Sequence, residues 1–583
     1  MLNDTGLMYF EILARNAELK KTLSGEPYRI AILSNIISSQ LNEILEYTLR
    51  STGINAEVIS GSYDNIVQDS QQCDQYHTVI IFWETSNIIE GAQYKINLMS
   101  TDEIAEIENK IKPAIELTFK NLSKSPLVLF NQFSSAAFNS NNLENNAFDH
   151  FCQALNRFIE DRCPPNFRII DLTPIFLQIS LKESIDFRYL YSSKSLYTVR
   201  FYQKYVEMIH PFIRMIRGQT KKALIFDCDN TLWNGILGED GMEGIDMSPN
   251  SDKGRIFAEV QSLALDLNRK GVLLGICSKN NFEDVTEVLN HHPDMQIKEK
   301  HISIQKVNWK DKVINLQEIA HELNIGLDSF VFVDDSDFEI SLVRERIPEI
   351  TVVKVPEKLY DYPSSIREII PLFYQTSKSI EDTERVKIYQ QQQQREVTKQ
   401  QFSSLEDYLQ HLELKINIYE NPSNLIPRIA QLTQKTNQFN LTTKRYTETQ
   451  IESYISNKIY KIWAFEVLDK FGTSGITGVC IGKYVNSKKM VIDSFLMSCR
   501  VIGRNIEFAF FNFLINFLKQ QHIDELESSY LKTPKNTLAA EFYDKLGFQL
   551  LSQMETEKSY RLKLEDYQPY NLSYIMVLYG IQN

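Results

Sequence analysis

Two carboxylates separated by one residue follow a strongly apolar stretch in the middle of the chain. Asp227 and Asp229 stand in FDCDNT directly after KKALI, which predicts a buried strand. In open α/β sheets, ligands bind beyond the carboxyl ends of the strands. One carboxylate at such an edge can attack phosphorus while the other gives a proton to the leaving group. A D-x-D-x-T string is weak by itself, because acidic residues are common where strands end.

Three further groups of polar residues follow later apolar stretches in the same order. Ser278 closes VLLGICS, Lys312 opens a helix-like segment after VNW, and Asp334 and Asp335 end SFVFVDD. Lys310 is a nearby rival for the role of Lys312. A hydroxyl and an ammonium can hold phosphate oxygens, and paired carboxylates can hold Mg²⁺. Such a metal offsets the repulsion between a phosphate and an attacking carboxylate.

This ordered set resembles the haloacid dehalogenase (HAD) superfamily of phosphotransferases. The resemblance implies that Asp227 is the nucleophile that becomes aspartyl-phosphate. It implies that Asp229 is the general acid/base and brings its backbone carbonyl to Mg²⁺. The remaining roles carried over are phosphate binding by Thr231, Ser278 and Lys312, and metal binding by Asp227, Asp229, Asp334 and Asp335.

The elements that position these residues divide the chain by their pattern. Residues 1–215 and 219–375 each alternate strand-like with helix-like segments, which predicts a parallel sheet covered by helices. Residues 376–404 are polar and contain five consecutive glutamines, so a semi-rigid helical linker is expected. Residues 405–563 resume a mixed α/β pattern, and 564–583 form a tail without a usable pattern. The predicted fold class is multidomain α/β, with a Rossmann-like middle domain.

Longer motifs narrow the resemblance to FkbH-like proteins. These motifs are FDCDNTLWNGILGEDG, GICSKNN, VNWKDKVINLQEIAHELNIGLDSFVFVDDSDFE, NQFNLTTKRY and SFLMSCRVIGRNIE. The family joins a HAD domain without a cap to an acetyltransferase-like (GNAT-like) domain, often behind an SGNH-hydrolase-like N-terminal domain. One departure is Ser336-Asp337, where the family usually has Asn-Pro. Since both metal carboxylates remain, altered loop geometry is expected rather than lost activity.

The family's activity, as the resemblance implies, is glyceryl transfer for polyketide or related biosynthesis. The donor is 1,3-bisphosphoglycerate, and the acceptor is the phosphopantetheine thiol of an acyl carrier protein. The 3-phosphate is removed by the HAD site. The intervals Asp227–Ser278 and Ser278–Asp334 are filled by ordinary elements and hold no cap domain, so the site should be open. An open site suits a phosphate presented on a large carrier.

The segment around Cys499 reads as a strand, a sharp turn and an amphipathic helix. In acetyltransferase folds, an Arg/Gln-x-x-Gly-x-Gly/Ala turn cradles the pyrophosphate of coenzyme A at a helix start. The corresponding residues predicted to hold pantetheine are Arg500, Gly503, Arg504 and Asn505. Cys499 is placed by this pattern at the helix N-terminus, where a thiolate is favoured, and is a candidate catalytic residue. The alternative is a buried small hydrophobic residue at a strand end.

Two other regions carry weaker predictions about the reaction. Asn437 and Asn440 lie in a segment rich in amides and hydroxyls, which either lines the acyl site or forms a polar capping turn. Cys228 stands between two carboxylates, where negative charge should disfavour a thiolate, and Cys277 ends a buried strand.

The N-terminal domain offers an incomplete hydrolase pattern. Ser34 ends YRIAILS, where an SGNH hydrolase places its nucleophile, and Asn131 stands where an oxyanion-hole residue could lie. His210 has no Asp three residues before it. Because a serine without a positioned base is a poor nucleophile, a degenerate hydrolase used for docking is expected.

Composition excludes several other classes of protein. The 583 residues carry a net charge of -13, which argues against general binding to nucleic acid or anionic membrane. The seven scattered cysteines lack a C-x-x-C pair and are typical of reduced thiols. The N-terminus lacks the apolar core of a signal peptide, and the histidines show no zinc-binding spacing. A cytoplasmic protein without membrane or nucleic-acid partners is expected.

Two alternative functions remain open at this level. One is a HAD phosphatase for a small metabolite fused to an ordinary coenzyme A-dependent N-acetyltransferase. The other is a catalytically silent scaffold for carrier proteins, against which the intact pair Asp227 and Asp229 argues.

Overall fold

A computed structural model describes residues 7–88, 91–139, 144–374 and 404–580, and single positions 391, 395, 398, 399 and 402. These residues form two compact units. The first contains residues up to 216 together with 447–450, and the second contains 217–446 and 451 onward. The predicted helical linker at 376–404 lies outside the described residues except at single positions from 391 onward.

The first unit is built on a five-stranded parallel sheet with the order β2-β1-β3-β4-β5. Apolar clusters line both faces of the sheet, as expected where helices cover a parallel sheet. The strands are β1 (Tyr28–Ser34), β2 (Ala56–Ser60), β3 (Thr78–Phe82), β4 (Val128–Asn131) and β5 (Phe167–Ile170). The helices are α1 (Tyr9–Thr22), α2 (Ser39–Ser51), α3 (Ile66–Asp69), α4 (Ala92–Lys95), α5 (Thr101–Asn121), α6 (Ala136–Asn139), α7 (Ala147–Arg162), α8 (Thr173–Ile179), α9 (Leu181–Ser184), α10 (Phe187–Ser193) and α11 (Val199–Ile216).

The second unit begins with another parallel sheet, in the order β10-β9-β6-β7-β8. Its central strands are buried over their whole length, which explains why they read as continuous apolar runs. The strands are β6 (Ala223–Phe226), β7 (Leu273–Ser278), β8 (Ile302–Val307), β9 (Phe330–Asp334) and β10 (Thr351–Lys354). The helices are α12 (Leu237–Gly244), α13 (Gly254–Arg269), α14 (Phe282–His291), α15 (Lys312–Leu323), α16 (Asp337–Arg346) and α17 (Tyr362–Ile369).

The C-terminal part of the second unit is a large, mostly antiparallel sheet, ordered β17-β18-β16-β15-β14-β13-β11-β19. Its strands are β11 (Leu414–Glu420), β12 (Phe439–Asn440), β13 (Tyr460–Asp469), β14 (Gly472–Asn486), β15 (Lys489–Met497), β16 (Glu525–Leu531), β17 (Gln549–Gln553), β18 (Glu557–Lys563) and β19 (Ile575–Tyr579). The helices, in chain order, are α18 (Leu405–His411), α19 (Ile426–Lys435), α20 (Glu448–Ser456), α21 (Ile506–Gln520) and α22 (Phe542–Lys545).

The last strand corrects the expectation of a patternless tail after residue 563. Strand β19 pairs in parallel with β11, from Leu414 opposite Ile575 to Ile418 opposite Tyr579. It therefore extends the sheet formed by residues that precede it by more than a hundred positions. The pairing partner lies far away in sequence, so local pattern gave no sign of it.

These three sheets confirm the predicted fold class of a multidomain α/β protein. No helix of the described residues is both long and apolar enough to cross a membrane.

Candidate functional site

The residues predicted to act on phosphate lie together at the carboxyl edge of the sheet formed by β6–β10. Asp227 follows the end of β6, while Asp334 and Ser278 end the flanking strands β9 and β7. The register aligns Phe226 with Val333, so the residues after them meet at one level. Parallel pairing of neighbouring strands thus brings together side chains that are far apart in sequence.

Lys312 connects the two central carboxylates of this edge. Its Nζ lies 3.0 Å from Asp227 Oδ1 and 2.6 Å from Asp334 Oδ2. It is the first residue of α15, whose N-terminus is fixed because the Asp311 carboxylate accepts a hydrogen bond from the Val313 backbone N–H. Burial opposes its charge, but the two carboxylates raise the pKa of Lys312 above its ordinary value.

The rival lysine lies elsewhere in the loop. Lys310 is 61% exposed at its side chain and pairs with Glu318 at 3.2 Å. The structure therefore places Lys312, and not Lys310, at the candidate phosphate site. A sequence cannot make this choice, because the two lysines are separated by only one residue.

Three carboxylates of the edge form a candidate metal centre. One oxygen from each of Asp227, Asp334 and Asp335 lies within 4.8 Å of the others. Burial, and then the negative charge of Asp227, raise the pKa of Asp334 to about 6 and raise that of Asp335. The three carboxylates thus carry more negative charge than the single ammonium of Lys312 balances. Hard oxygen ligands and excess negative charge are what Mg²⁺ requires.

Asp229 is held beside this cluster by three donors that fix its orientation. Its Oδ1 accepts hydrogen bonds from Trp233 Nε1 and the Leu237 backbone N–H, both at 3.0 Å. Its Oδ2 accepts one from Asn280 Nδ2 at 2.8 Å. The side chain of Asp229 is not part of the three-carboxylate cluster, which leaves its backbone carbonyl as the expected metal contact. Trp233 and Asn280 are positioning residues that sequence reasoning missed, although Asn280 follows Ser278 by only two positions.

The other predicted site residues near Asp227 are deeply buried. Ser278 ends β7 with 1% of its surface exposed, and its carbonyl accepts a hydrogen bond from the Asn308 backbone N–H. Thr231 is fully buried, and its hydroxyl has no hydrogen-bond partner in the described part of the chain. Its role in binding phosphate stays a prediction. Burial raises the pKa of the Cys228 thiol, and the negative charge of Asp227 raises it further. Burial also raises the pKa of the Cys277 thiol.

The departure from Asn-Pro leaves an ordinary helix start. Ser336 is the N-cap of α16, and its hydroxyl accepts a hydrogen bond from the Glu339 backbone N–H at 3.4 Å. The Ser336 backbone N–H donates to Asp334 Oδ1 at 2.9 Å. Asp337 pairs with Lys354 at 2.6 Å and is not one of the three clustered carboxylates. The substituted dipeptide therefore still holds Asp334 in place.

No cap domain interrupts this edge of the sheet. Between Asp227 and Asp334, a stretch described throughout, the chain forms α12–α15, β7–β9 and two short 3₁₀ turns, and it adds no further sheet. The segment after each of the five strands carries at least one exposed large apolar side chain. The first in each segment are Ile236, Phe282, Trp309, Phe338 and Tyr360, of which Trp309 is the most exposed at 72%.

Cys499 does not lie at the N-terminus of the long helix, contrary to the prediction. It opens a 3₁₀ turn, Cys499–Val501, while α21 begins at Ile506. The intervening residues include Gly503 at φ +80° and Asn505 at φ +60°, a left-handed bend that delays the helix. Cys499 therefore precedes the first residue of α21, and the dipole of that helix does not act on its thiol.

Cys499 instead faces the domain that carries the carboxylates. Its backbone carbonyl accepts a hydrogen bond from the side-chain amide of Asn324, which follows α15. Its half-buried side chain packs against the apolar cluster beneath β6 and β9. A position between two domains was predicted neither by the hypothesis of a catalytic thiolate nor by that of a buried small hydrophobic residue.

The residues predicted to hold pantetheine are largely engaged within the protein. Arg500 Nε donates to Ser498 Oγ at 3.1 Å. Arg504 pairs with the fully buried Asp469 at 3.2 Å, and Asn505 Nδ2 donates to the Tyr574 hydroxyl at 2.7 Å. A Cβ at Gly503 would meet no atom within 4 Å, so the space beside it is open.

The space between β15 and β16 is filled by the chain itself. The two strands pair from Lys489 to Ile492, and β12 pairs with the end of β15 beyond that point. The Leu441 backbone N–H donates to Phe495, and the Leu531 backbone N–H of β16 donates to Leu441. The segment around β12 therefore bridges both strands where they diverge.

Asn440 belongs to this bridging segment and is fully buried. Its Oδ1 accepts a hydrogen bond from the Thr443 backbone N–H at 2.8 Å, and its Nδ2 donates to the Thr436 carbonyl at 3.2 Å. These contacts match the capping-turn alternative better than an acyl site. Asn437 differs, since it is half-buried and lines a cavity that also contains Cys499.

The N-terminal unit lacks an assembled hydrolase site among its described residues. The Ser34 hydroxyl exchanges hydrogen bonds with the backbone of Ile36, at 2.9 and 3.0 Å. Asn131 Oδ1 accepts a hydrogen bond from the Tyr205 hydroxyl at 2.8 Å. His210 is buried, and its Nε2 has no hydrogen-bond partner among the residues that the structure describes. Its pKa falls to about 4 because burial and Arg214 disfavour its charge. The identity of this unit as a degenerate SGNH-like domain stays a prediction.

Part of the second unit matches a known protein family. Residues 426–561 match the model of the acetyltransferase (GNAT) domain. These residues run from the first residue of α19 into β18 and include β12, Cys499 and α21. No protein with a curated description matches the chain.

Solved structures resemble parts of the chain to different degrees. The N-terminal part of BF1531 from Bacteroides fragilis, which contains a phosphatase domain complexed with Mg, matches with a TM-score of 0.54 and 24% identity. The match covers 64% of this chain and 100% of that one. The Escherichia coli ribosomal-protein-S18-alanine N-acetyltransferase is 14% identical, with a TM-score of 0.21 over 26% of this chain and 94% of its own. The putative acetyltransferase yncA from Salmonella typhimurium is 12% identical, with a TM-score of 0.21 over 27% of this chain and 98% of its own.

Proposed function

We propose that the protein is a Mg²⁺-dependent enzyme that loads glyceryl onto an acyl carrier protein and removes a phosphate in doing so. The observation that carries the phosphatase half is Lys312, whose ammonium joins Asp227 and Asp334 beside Asp335. This arrangement offers a carboxylate nucleophile, a cation for phosphate oxygens and a set of metal ligands at one sheet edge. The phosphatase domain of the protein with the same fold contains Mg.

The roles of the residues follow from their positions. Asp227 attacks phosphorus, and the bond from phosphorus to the glyceryl oxygen breaks while Asp229 gives that oxygen a proton. A water molecule then releases the phosphate from Asp227, and Asp229 takes the proton back. Lys312 and Ser278 hold the phosphate oxygens. When bound, Mg²⁺ at Asp227, Asp334 and Asp335 supplies positive charge that offsets the repulsion between phosphate and carboxylate.

The acyl half of the proposal rests on 1,3-bisphosphoglycerate as donor and on Cys499. An acyl phosphate is a good donor to a thiol, because phosphate leaves as the carbon–sulfur bond forms. The thiol proton ends on the released phosphate. The acyl group then passes from the sulfur of Cys499 to the pantetheine sulfur of the carrier, whose proton goes to Cys499, so that one thioester replaces another. The lack of a cap domain between Asp227 and Asp334 suits a phosphate that arrives on a protein, since a cap would compete with the carrier's own surface.

The main alternative is a phosphatase fused to an ordinary coenzyme A-dependent N-acetyltransferase. The match at residues 426–561 is the observation in its favour. The segment around β12 fills the space between β15 and β16, so a pantetheine arm, whether of coenzyme A or of a carrier protein, has no slot there. A catalytically silent scaffold is disfavoured by Lys312 and the three carboxylates. To gather three carboxylates around one buried lysine costs free energy of folding that a purely structural role does not require.

Intact-mass analysis of a pantetheinylated carrier protein tests the proposal. After incubation with enzyme, Mg²⁺ and a system that generates 1,3-bisphosphoglycerate, the carrier should gain one glyceryl group. With Asp227→Asn, carrier or enzyme should instead bear phosphoglyceryl, which is heavier by one phosphate. Acetyl-CoA turnover in the absence of carrier, with no glyceryl product, would establish the alternative. Normal glyceryl product from Asp227→Asn would refute Asp227 as nucleophile.

A further inference from the structure

An ion pair joins two segments at the carboxyl edge of the sheet formed by β6–β10. Lys279 follows Ser278, the last residue of β7, and Glu339 lies in the first turn of α16, which follows β9. The Lys279 Nζ atom lies 2.6 Å from Glu339 Oε1. Because β6 lies between β7 and β9, the pair connects the two strands that flank the one leading to Asp227. The phosphatase mechanism uses neither side chain.

Glu339 is anchored close to the carboxylate cluster. The Ser336 backbone N–H donates to Asp334 Oδ1 at 2.9 Å, and the Ser336 hydroxyl accepts a hydrogen bond from the Glu339 backbone N–H at 3.4 Å. Glu339 is therefore within one helical turn of a residue bonded to Asp334. Burial raises the pKa of the Cys277 thiol, and the negative charges of Asp227, Asp334 and Glu339 raise it further. Glu339 thus belongs to the charges that surround the phosphate site.

The second carboxylate oxygen of Glu339 lacks a donor. The Glu339 side chain is only 8% exposed, and its Oε2 atom is buried without a hydrogen-bond partner among the described residues. Buried acceptors in folded proteins nearly always receive a hydrogen bond from the protein, from water or from a ligand. Since Lys279 already supplies a positive charge to this carboxylate, a neutral donor is sufficient at Oε2. A hydroxyl group is such a donor.

We propose that Glu339 Oε2 accepts a hydrogen bond from a substrate hydroxyl on the carbon next to the phosphate ester. Glu339 then selects phosphate esters of vicinal diols over simple alkyl phosphates, and Lys279 is a positioning residue that holds the carboxylate through Oε1. This inference rests on the proposed function, in which the phosphoglyceryl group carries a hydroxyl at that position. It adds a residue that recognises the part of the substrate that does not react.

Calorimetric measurement of binding to the full-length protein tests this selection without requiring any transfer reaction. The probes are 3-phosphoglycerate and the phosphate ester of 3-hydroxypropanoate, which differ by one hydroxyl group. Asp227→Asn with saturating Mg²⁺ is the common background, because a protein without its nucleophile leaves both esters intact. The dissociation constant should be about tenfold or more lower for 3-phosphoglycerate, as expected for a hydrogen bond to a charged group.

Variants in this background identify the groups responsible for the ratio of the two dissociation constants. Glu339→Ala should reduce the ratio to less than twofold, because the acceptor is lost. Lys279→Met should also lower it, and Lys279→Arg, which retains a cation for Glu339, should restore it. Glu345→Ala, which changes an exposed acid of the same helix, should keep the full ratio. Both constants come from one protein, so a general loss of folding or of Mg²⁺ weakens both.

Three results would overturn the inference. They are equal affinities for the two esters in the background protein, no measurable binding of either ester, and an unchanged ratio in Glu339→Ala. In the last case, a higher Mg²⁺ requirement in Glu339→Ala would show that Glu339 acts on the metal's water instead. If Glu339→Ala does not fold, an unchanged ratio in Lys279→Met overturns the inference.

The outcome is separable from that of the proposed function. If the carrier gains no glyceryl group while the ratio depends on Glu339, the proposed function falls and the selection of a hydroxyl stands. If the carrier gains glyceryl while the ratio is absent, the reverse is true.

Discussion

Lys222 and Asp227 lie at opposite ends of the same four-residue strand, β6. Lys222 lines the cavity that contains Cys499, and Asp227 belongs to the carboxylate cluster. Under the proposed function, acyl transfer and phosphate removal therefore take place at opposite edges of one sheet. A substrate tethered to a mobile carrier arm can visit both, whereas a free intermediate would have to dissociate and rebind.

Replacement of Lys312 should abolish phosphatase activity with little loss of substrate access. Lys312→Met removes the cation between Asp227 and Asp334, and we expect kcat on an aryl phosphate to fall by about 10²–10³-fold, as for loss of one preorganised charge. Lys310→Met is the matched control and should stay within about twofold of the wild type, because Lys310 is exposed and pairs with Glu318. Equal losses in the two variants would reject the assignment of Lys312.

Asn280 should act through the orientation of Asp229. Asn280→Ala removes the donor to Asp229 Oδ2, and we expect kcat to fall by about tenfold with little change in KM. Asn281→Ala, which alters the exposed neighbour, should change neither quantity. A kcat unchanged in Asn280→Ala would contradict the positioning role.

The metal requirement should depend on Asp335 and not on the nearby Asp337. Chelation should abolish phosphatase activity, and added Mg²⁺ should restore it. Asp335→Asn should raise the Mg²⁺ concentration needed for half-maximal activity by about tenfold or more, because one carboxylate ligand is lost. Asp337→Asn should leave that concentration unchanged, since Asp337 pairs with Lys354. Titration of activity with Mg²⁺ measures all three proteins, and activity that survives chelation would exclude a metal enzyme.

Cys499 should be required for acyl transfer only. Cys499→Ala should abolish loading of the carrier while phosphatase activity on an aryl phosphate stays near the wild-type value, because the catalytic carboxylates lie at the other sheet edge. Cys163→Ala controls for loss of a half-buried thiol elsewhere. If Cys499→Ala still loaded the carrier within a few-fold of the wild-type rate, direct attack by the carrier thiol would be the better mechanism.

His210 should make the N-terminal unit less stable in acid. Its pKa is about 4 in the folded unit and about 6.5 when exposed, so the unfolded chain binds more protons between these values. As pH falls from about 6.5 to 4, the free energy of unfolding should decrease by about 3 kcal/mol from this group.

Hydrogen exchange of the β1–β5 amides as a function of pH measures this effect. His210→Phe should remove that part of the dependence, whereas His150→Phe, at an exposed position of the same unit, should retain it. An identical pH dependence in His210→Phe would show that other groups are responsible.

The sequence by itself determined which side chains meet at the carboxyl edge of the middle sheet, and it determined the class of fold. Apolar runs that end in Asp227, Ser278 and Asp334 indicate buried parallel strands, and parallel strands bring their carboxyl ends to one edge. The spacing also determined that no cap domain interrupts the site. These features are local, or follow from a rule that holds for every parallel sheet, so pattern alone was sufficient.

Only the tertiary structure decided which groups meet across distance. It chose Lys312 over Lys310, placed Asn280 on Asp229, and set β19 beside β11. It also showed that α21 does not begin at Cys499. The left-handed Gly503 and Asn505 delay the start of that helix until Ile506. The cavity beside Cys499 is lined by segments that are far apart in sequence, from Lys222 to Lys535. Contacts of this kind are fixed by packing and register between distant segments, which the local pattern of residues does not encode.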